Sequence, residues 1–441
     1  MGRVMKSQLV PPRLKPLSPR RAATFGVLDI GTSKIACLIA RLTPVGDVAP
    51  RDWRTHRIRV IGIGHQRSLG VKHGLVIDMD AAERAIRQTV DAAERMAGTQ
   101  IDHVIVTASG GRLASEHFAA KRAIGGREVA ESDIHRVLEA SAAHHLHRGR
   151  VAVHSIPTGF SLDGVPDIRE PKDMIGDELG VDLHVASCDQ AAVRNLVLAA
   201  ERGHLGVEGM AAAPYAAGLS ALEPDEAEMG VVLIDMGAGS TSLAVFARGK
   251  LTHLDAVTLG GNHVTMDIAR GLDARLADAE RLKTFHGSAI SSSSDERETV
   301  SFDHVGESGR HKHYAPKSHL VRIIRPRIEE TFEFLRDRLA RAGYPSGPNR
   351  RIVLTGGACQ LTGAAECARS ILGGQVRIGR PIGVDGLPDP ARSPAFAAAA
   401  GLLVYPQVAG REYFEPHRGE RFATGTDGYM SRVGRWLKES F

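Results

Sequence analysis

Short apolar runs that stop at glycine-rich or polar clusters recur along the chain and read as buried strands. Between them lie stretches of helical periodicity. One run organises the others. Gly230 to Ile234 is apolar, halts at Asp235, passes through Met236, Gly237, Ala238, Gly239, Ser240 and Thr241, and turns apolar again. The same arrangement occurs earlier, from Gly26 to Ile39, with Asp29 answering to Asp235, Gly31 to Gly237 and Ser33 to Gly239. The copies lie 206 residues apart, counted from Asp29 to Asp235, far beyond a solenoid period. The pattern therefore predicts a duplicated domain core, each half opening on a strand, a tight turn and a returning strand.

Around these hairpins the periodicity predicts a strand over Ile58–Gly64, a helix over Met79–Ala97 with Asp78 or Asp80 as cap and Gly98 as stop, and a strand over Asp102–Thr107. Residues 108–186 change character and read as a small inserted α+β module, with a helix across Ser132–His145 and a strand at Val151–Ile156. A helix over Cys188–Arg202, capped by Ser187 or Asp189, and a strand over Gly206–Ala212 follow. Pro214 sits at the first turn of a further helix. The second half repeats the plan, with strands at 231–235, 242–247 and 250–258 and a helix after Gly260-Gly261. A charged helix over Leu320–Ala342 starts or kinks at Pro326. A strand over Ile352–Ala358 then runs into Gly356 and Gly357, and a helix covers Leu361–Leu372.

The turns carry candidate chemistry. Glycines allow positive φ and close approach of a ligand, and the turn N–H groups converge on an anion beside the hydroxyls of Ser240 and Thr241. A carboxylate at the strand end repels phosphate unless a hydrated Mg²⁺ lies between them. One such turn alone is as well read as a polar hairpin; two in equivalent positions point to a phosphate clamp. Gly356 and Gly357 either set helix-start geometry or let a nucleoside lie against the backbone. Gly62-Ile63-Gly64 imitates the start of a dinucleotide fingerprint, but no helix opens there.

Composition narrows the class. With 441 residues, 43% hydrophobic and 24% charged, the chain reads as an ordinary globular protein of two or more domains. The net charge of +5 is local. Residues 1–22 carry Arg3, Lys6, Arg13, Lys15, Arg20 and Arg21 with no acid, a basic arm expected to be disordered, and the balanced remainder implies no nucleic-acid partner. The cysteines, Cys37, Cys188, Cys359 and Cys367, form no CxxC pair and read as reduced and structural. The polar stretch 286–318, with His304, His311, His313 and nearby His319, reads as a solvated loop, as do residues 43–57.

The last thirteen residues differ from the rest. At 100° per residue, Tyr429, Met430, Val433, Trp436, Leu437 and Phe441 fall within an arc of about 140°, with Arg432, Arg435 and Lys438 opposite. This is the pattern of an interfacial membrane helix behind a polar linker at 409–428, with docking on its own protein or a partner's groove as the other reading. One such helix binds marginally, so avidity across a self-assembled polymer supports the anchor.

The duplicated turns, the Gly356-Gly357-Ala358 loop, the inserted module and segments such as VLDIGTSKIACLIA, VLIDMGAGSTSLAVF and IVLTGGACQLTGAAECA resemble the actin/Hsp70/sugar-kinase superfamily. Within it the resemblance is to the FtsA family of bacterial cell-division actin homologues, over most of the chain from residue 24 on. The resemblance implies an α/β fold: a duplicated actin-like ATPase core of two lobes with nucleotide in the cleft, an inserted α+β subdomain and a C-terminal amphipathic helix. It divides the chain into a basic arm (1–22), subdomain 1A (23–107 and 187–222), 1C (108–186), 2A (223–258 and 343–408, the latter returning to 1A), 2B (259–342), linker (409–428) and membrane helix (429–441).

It further implies ATP with Mg²⁺, held by Asp29, Gly31, Thr32, Ser33 and Lys34 from one loop and Gly237, Ala238, Gly239, Ser240 and Thr241 from the other. Asp29 and Asp235 would hold the metal through water, Glu280 and Lys283 would meet the adenine and ribose, and Gly356, Gly357 and Ala358 would face the adenosine. From residues alone Glu280 and Lys283 are equally a surface pair on one helix face. The family places a polymerising scaffold on the cytoplasmic side of the inner membrane, at the septum. There it binds the tubulin-like FtsZ through 2B, with Arg327 and Glu330 on the contact helix, and further division proteins through 1C. Tyr429, Met430, Val433, Arg435, Trp436, Leu437, Lys438 and Phe441 would meet the membrane. Ala213 stands where relatives in the superfamily place a glutamate near the hydrolytic water, so slow turnover is expected. A sugar- or acetate-kinase-like phosphotransferase and a pilus-assembly adaptor are the alternatives.

Overall fold

Two mixed sheets carry the chain, and each is built around one of the acidic hairpins. The structure, a computed structural model, describes residues 11–46, 54–110, 112–143, 146–306 and 312–414. In the first lobe the strands run in the spatial order Gly206–Ala212, His103–Ala108, Ala23–Ile30, Lys34–Pro44, His56–Arg67 and Val384–Asp385. In the second the order is Gln375–Ile378, Arg351–Thr355, Val231–Met236, Thr241–Ala247 and Lys250–Val257. Strand for strand the first five match. In both, a central hairpin and a third antiparallel strand lie on one side, with two parallel strands on the other. Their near-continuous apolar sequences suit sheets covered on both faces.

The helix Met79–Ala97 begins as its sequence dictates, the Asp78 carboxylate accepting from the Ala81 N–H (3.0 Å), and ends at Gly98 with φ of 64°. It lies on the first sheet so closely that a Cβ on Gly62 would stand 2.3 Å from the Ala93 carbonyl oxygen, and one on Gly64 1.9 Å from that of Thr89. The glycine pair that imitates a dinucleotide fingerprint is thus a groove for a helix. The lobes are joined through helices Ala213–Ala221 and Ala397–Val404, whose small side chains let the backbones touch; a Cβ on Gly401 would meet the Ala216 carbonyl oxygen at 1.6 Å.

The inserted module is a sheet of Ala114–Glu128, Ile175–Asp189, Arg150–Leu162 and Val165–Ile168 with one helix, Glu131–Ala142. Asp133 fixes that helix by accepting from the Ala130 N–H and from both terminal nitrogens of Arg127, whose guanidinium holds the carboxyl down to about 2. Against the second lobe it packs His117 and His184, beside His253. Burial, then the neighbouring His117 and His253, push His184 well below its ordinary pKa, so it sits there neutral.

Several boundaries differ from the sequence reading. Cys188 and Ser187 end the long strand Ile175–Asp189, and the helix after it begins at Gln190, because pairing with Arg150–Leu162 outcompetes helix formation at the junction. The helix expected at Ser132–His145 runs Glu131–Ala142; residues 144 and 145 lie outside the described residues. The charged helix spans Lys317–Arg341 with Pro326 inside it, so the proline neither starts nor ends it. Within 286–318 the strands Thr299–Phe302 and His313–Pro316 pair as a hairpin, with the His304 and His313 rings 3.7 Å apart. His311 lies outside the described residues, among which no group of three His, Cys, Asp or Glu could hold a metal ion. Of the stretch 43–57, residues 43–44 and 56–57 belong to strands, 45–46 and 54–55 are irregular, and 47–53 lie outside the described residues.

The basic arm and the linker also need correcting. Residues 1–10 of the arm lie outside the described residues. Within 11–22, Leu14 packs against Gly209, Leu17 against the first-lobe core, and the Arg13 guanidinium lies 3.8 Å from the Phe414 ring centroid, because apolar Leu14 and Leu17 outweigh the surrounding charge, while 18–22 are exposed. Residues 409–414 are docked rather than linker-like. Glu412 is buried against His154, and the Tyr413 N–H donates to the Ser155 carbonyl (2.8 Å). The remaining linker and the helix at 429–441 lie outside the described residues.

Gly401→Ala is expected to destabilise the protein by about 1–3 kcal/mol, since a methyl group there must push two backbones apart. Thermal unfolding of the variant against the natural chain checks this.

Candidate functional site

Both acidic hairpins close in the same way. The Gly31 N–H donates to the Lys34 carbonyl and the Gly237 N–H to the Ser240 carbonyl, each at 3.0 Å, while Asp29 and Asp235 occupy the same rung of their ladders. The turns face one another across a cleft of about 480 Å³ between the lobes. Fifteen of the sixteen expected ligand residues line it: Asp29, Gly31, Thr32, Ser33 and Lys34; Asp235, Gly237, Ala238, Gly239 and Ser240; Glu280 and Lys283; and Gly356, Gly357 and Ala358. Thr241 does not. It is fully buried and donates its hydroxyl to the Leu259 carbonyl (2.8 Å), fastening the returning strand instead. A larger cavity of about 960 Å³ lies apart, where the inserted module meets both lobes. Two of its bases are paired with acids, Arg248 with Asp167 and Arg169 with Glu228, and it lacks the two matched Asp-x-Gly turns, so the chemistry points to the smaller cleft.

Charge is concentrated at the cleft floor. Asp235 is partly exposed to the cleft; desolvation there and the neighbouring Asp29 push its carboxyl up to about 7, against the pull of Lys34. Burial lowers the Lys34 ammonium despite Asp29 and Asp235, and its Nζ donates to the Ala395 carbonyl over the face of Phe396. Asp29 accepts from the Thr107 hydroxyl (2.8 Å). Two facing carboxylates with one cation short of neutrality form an oxygen donor set that fits a hydrated divalent ion.

Gly356, with φ of 83°, lets the Gly356–Gly357 turn approach that floor; a Cβ there would stand 2.4 Å from Asp235 Oδ1. The turn leads into a single 3₁₀ turn, Gly357–Gln360, and the helix proper starts only at Ala364, later than the Leu361 expected. At the other wall Lys283 Nζ donates to Glu280 Oε2 (2.6 Å), Thr265 Oγ1 (2.8 Å) and the Gly261 carbonyl (3.1 Å). Burial works to raise the Glu280 carboxyl, but hydrogen bonds from Lys283 and Thr265 outweigh it and hold it below its usual range. The pair therefore belongs to the cleft and is not a free surface pair.

Ala213, buried at the head of its helix, lines the same cleft. Of the lining residues described, Asp29, Asp235 and Glu280 are the only acids and no histidine is among them. The sequence reading missed His73. Held at φ of 50°, it donates from Nδ1 to the Gly239 carbonyl across the cleft (2.6 Å), while the adjacent Gly74 N–H donates to Thr32 Oγ1 (3.1 Å). The one hint was the Lys72-His73-Gly74 turn. Arg327 and Glu330 lie away from the cleft on the long helix, where Arg327 Nε donates to Asp267 (2.6 Å) and Nη1 to Glu330.

Comparison with known proteins follows the same outline. A family model described as cell division protein FtsA matches residues 232–401, and one described as the SHS2 domain inserted in FtsA matches 110–187, the inserted module. The chain is 52% identical over 431 residues to the cell division protein FtsA of Rhizobium meliloti, covering 98% of each chain. It is 31% identical over 424 residues to that of Escherichia coli K12, covering 94% of this chain and 97% of the other. Among solved structures, a PilM–PilN type IV pilus biogenesis complex shares the fold at a TM-score of 0.60 and 19% identity, over 87% of this chain and 98% of that one.

The Asp235 carboxyl ionises near pH 7 in the fold, against about 4 in an unfolded chain. Ligand-free protein should therefore lose stability as pH rises across that window, since the unfolded chain releases a proton that the fold retains. Carboxyl infrared difference spectra should show one protonated acid persisting above pH 6 and absent in Asp235→Asn.

Proposed function

This chain belongs to the FtsA family of actin-like cell-division proteins, and on that footing we propose that it is an ATP-binding scaffold tethering the division ring to the membrane. The observation that carries the nucleotide part is the pair of matched turns facing each other over Asp29, Asp235 and Lys34. Backbone N–H groups of residues 32–34 and 238–240, with the Thr32, Ser33 and Ser240 hydroxyls, would cradle the β- and γ-phosphates, the Gly31 and Gly237 N–H groups being used to close the turns. Lys34 would leave the Ala395 carbonyl for a phosphate oxygen. Asp29 and Asp235 would hold Mg²⁺ through its waters; the ion, when bound, screens the phosphate charge from the two carboxylates. Gly356, Gly357 and Ala358 would take the adenosine, with Glu280 and Lys283 at the ribose side.

Ala213 offers no group to orient or deprotonate water, and the acids of the cleft are engaged elsewhere, Asp29 and Asp235 toward the metal and Glu280 toward Lys283. Nucleotide then acts as a conformational and assembly switch with slow turnover. A phosphotransferase reading needs a base aimed at an acceptor, which the described cleft residues do not supply.

The remaining parts of the reading come from family membership and sequence. The chain would polymerise with itself, bind FtsZ through the subdomain that bears Arg327 and Glu330, recruit other division proteins through the inserted module, and reach the cytoplasmic face of the inner membrane through residues 429–441. Among the described residues no helix is long and apolar enough to cross a membrane.

Asp235→Ala should weaken Mg·ATP binding at least about tenfold in calorimetry, and binding by the natural protein should weaken below pH 7, where Asp235 has first to give up its proton to offer a carboxylate. Unchanged affinity would remove the site. Ala213→Glu should raise ATP turnover, by as much as about 100-fold if the carboxylate reaches the water as a general base.

A further inference from the structure

One two-residue turn of the first lobe is bonded to both glycine turns of the cleft. The short strands Val71–Lys72 and Leu75–Val76 pair as a hairpin, Lys72 opposite Leu75, and leave His73 and Gly74 as its loop. Both have positive φ, 50° and 71°, as a type I′ turn requires. Asn-Gly is the pair that suits such a turn, so the histidine is held there against its own backbone preference. Its surroundings do the holding. A Cβ on Gly74 would stand 2.6 Å from the Gly110 nitrogen and 2.7 Å from Ser109 Oγ, and one on Gly239 of the other lobe 2.9 Å from the His73 Cα.

His73 Nδ1 donates to the Gly239 carbonyl (2.6 Å), and the Gly74 N–H donates to Thr32 Oγ1 (3.1 Å). A carbonyl oxygen only accepts, so Nδ1 of His73 carries a proton. His263 flanks the imidazole from the second lobe, its ring centroid 5.6 Å away and tilted by 31°, with its own Nδ1 accepting from the Gly260 N–H (3.1 Å). Thr32, Gly239 and Ser240 line the cleft, whereas His73 stands at the rim and is not among the lining residues. The Gly239 carbonyl and the Ser240 N–H belong to one planar trans peptide and point in opposite directions. Fixing the carbonyl on His73 therefore turns the Ser240 N–H inward. Thr32 Oγ1, with one lone pair taken by Gly74, keeps its own proton to give.

We propose that His73 is a positioning residue for phosphate binding. Through the Gly239 peptide it aims the Ser240 N–H, and through Gly74 the same turn aims the Thr32 hydroxyl, so one hairpin loop sets a phosphate donor in each lobe. The backbone strain at His73 is kept because only a side chain with an N–H at that place reaches the Gly239 carbonyl. The inference rests on the reading of the cleft as a nucleotide site and concerns the phosphates alone; the adenosine side is a separate wall, at Gly356, Gly357 and Ala358.

The test is calorimetry of full-length protein with Mg·ATP and with adenosine, for three substitutions at this position. Asparagine accepts the left-handed backbone and carries an N–H where the imidazole has Nδ1, so His73→Asn should bind Mg·ATP as the natural chain does. Aspartate accepts the same backbone but sets a carboxylate against the Gly239 carbonyl, and glycine brings no side chain. His73→Asp and His73→Gly should each weaken Mg·ATP about tenfold, the size of one lost hydrogen bond. Adenosine affinity should stay the same throughout. If the aspartate and glycine variants bind Mg·ATP normally while Asp235→Ala does not, His73 is a turn residue only, and the nucleotide reading stands without it. If Asp235→Ala also binds normally, the nucleotide reading fails and takes this inference with it. A His73→Asn as weak as His73→Gly, or an equal loss for ATP and adenosine, would overturn the positioning role.

Discussion

Two carboxylates from opposite lobes, brought together at the cleft floor with one lysine nearby, set the terms for the rest of the molecule. Asp29 and Asp235 repel each other, and burial makes the repulsion costly; the ligand-free protein answers by keeping Asp235 protonated up to about pH 7. Everything around the pair keeps the turns close. Gly31 and Gly237 close the hairpins, Gly239 leaves room for Thr32 and His73, and Gly356 carries its turn over Asp235. A side chain at Gly239 would hold the lobes apart, since its Cβ would stand 2.5 Å from Thr32 Oγ1, whereas at Gly31, Gly237 or Gly356 it would disturb the turn's own lobe.

The cleft wall is continuous with the inserted module. Ala212, the residue before Ala213, donates its N–H to His154 Nε2 (2.9 Å). That ring nitrogen is therefore an acceptor, so Nδ1 carries the proton and donates to Glu412 (2.8 Å). His154 also packs edge-on against Tyr215, which stacks on Phe246 of the second lobe. A line of bonded groups thus runs from the wall beside Ala213, through the inserted module, to the docked segment 409–414.

Much of this was legible in the residues, because the strongest signals were local. The Asp-x-Gly turns, the Asp78 cap and the Gly98 stop each follow from one residue's backbone or hydrogen-bonding preference, and the duplication showed where to look for the partner turn. What escaped depended on distant contacts. Cys188 joined a strand because Val151 pairs with it across the inserted sheet. Thr241 turned inward because Leu259 offers a carbonyl there. The arm at 11–22 and the segment at 409–414 looked polar and loose in isolation, and only each other's company, with Gly209 and His154, gave them a place to pack. His73 carried no motif; its contact with Gly239 exists only once the two lobes face each other.

The docking of residues 409–414 also decides how mechanical load would travel. A pull on the chain beyond Phe414 is met first by the Tyr413 backbone bond to Ser155 and the Glu412 pair with His154, both in the inserted module, and by the Arg13 strap from the first lobe. The inserted module is in turn bonded to the second lobe, Ser115 Oγ donating to the Leu254 carbonyl (2.9 Å) and accepting from the Leu254 N–H (2.7 Å). Tension on the tail would thus reach the second lobe through the edge strand Lys250–Val257, and with it the lobe that forms the far wall of the cleft.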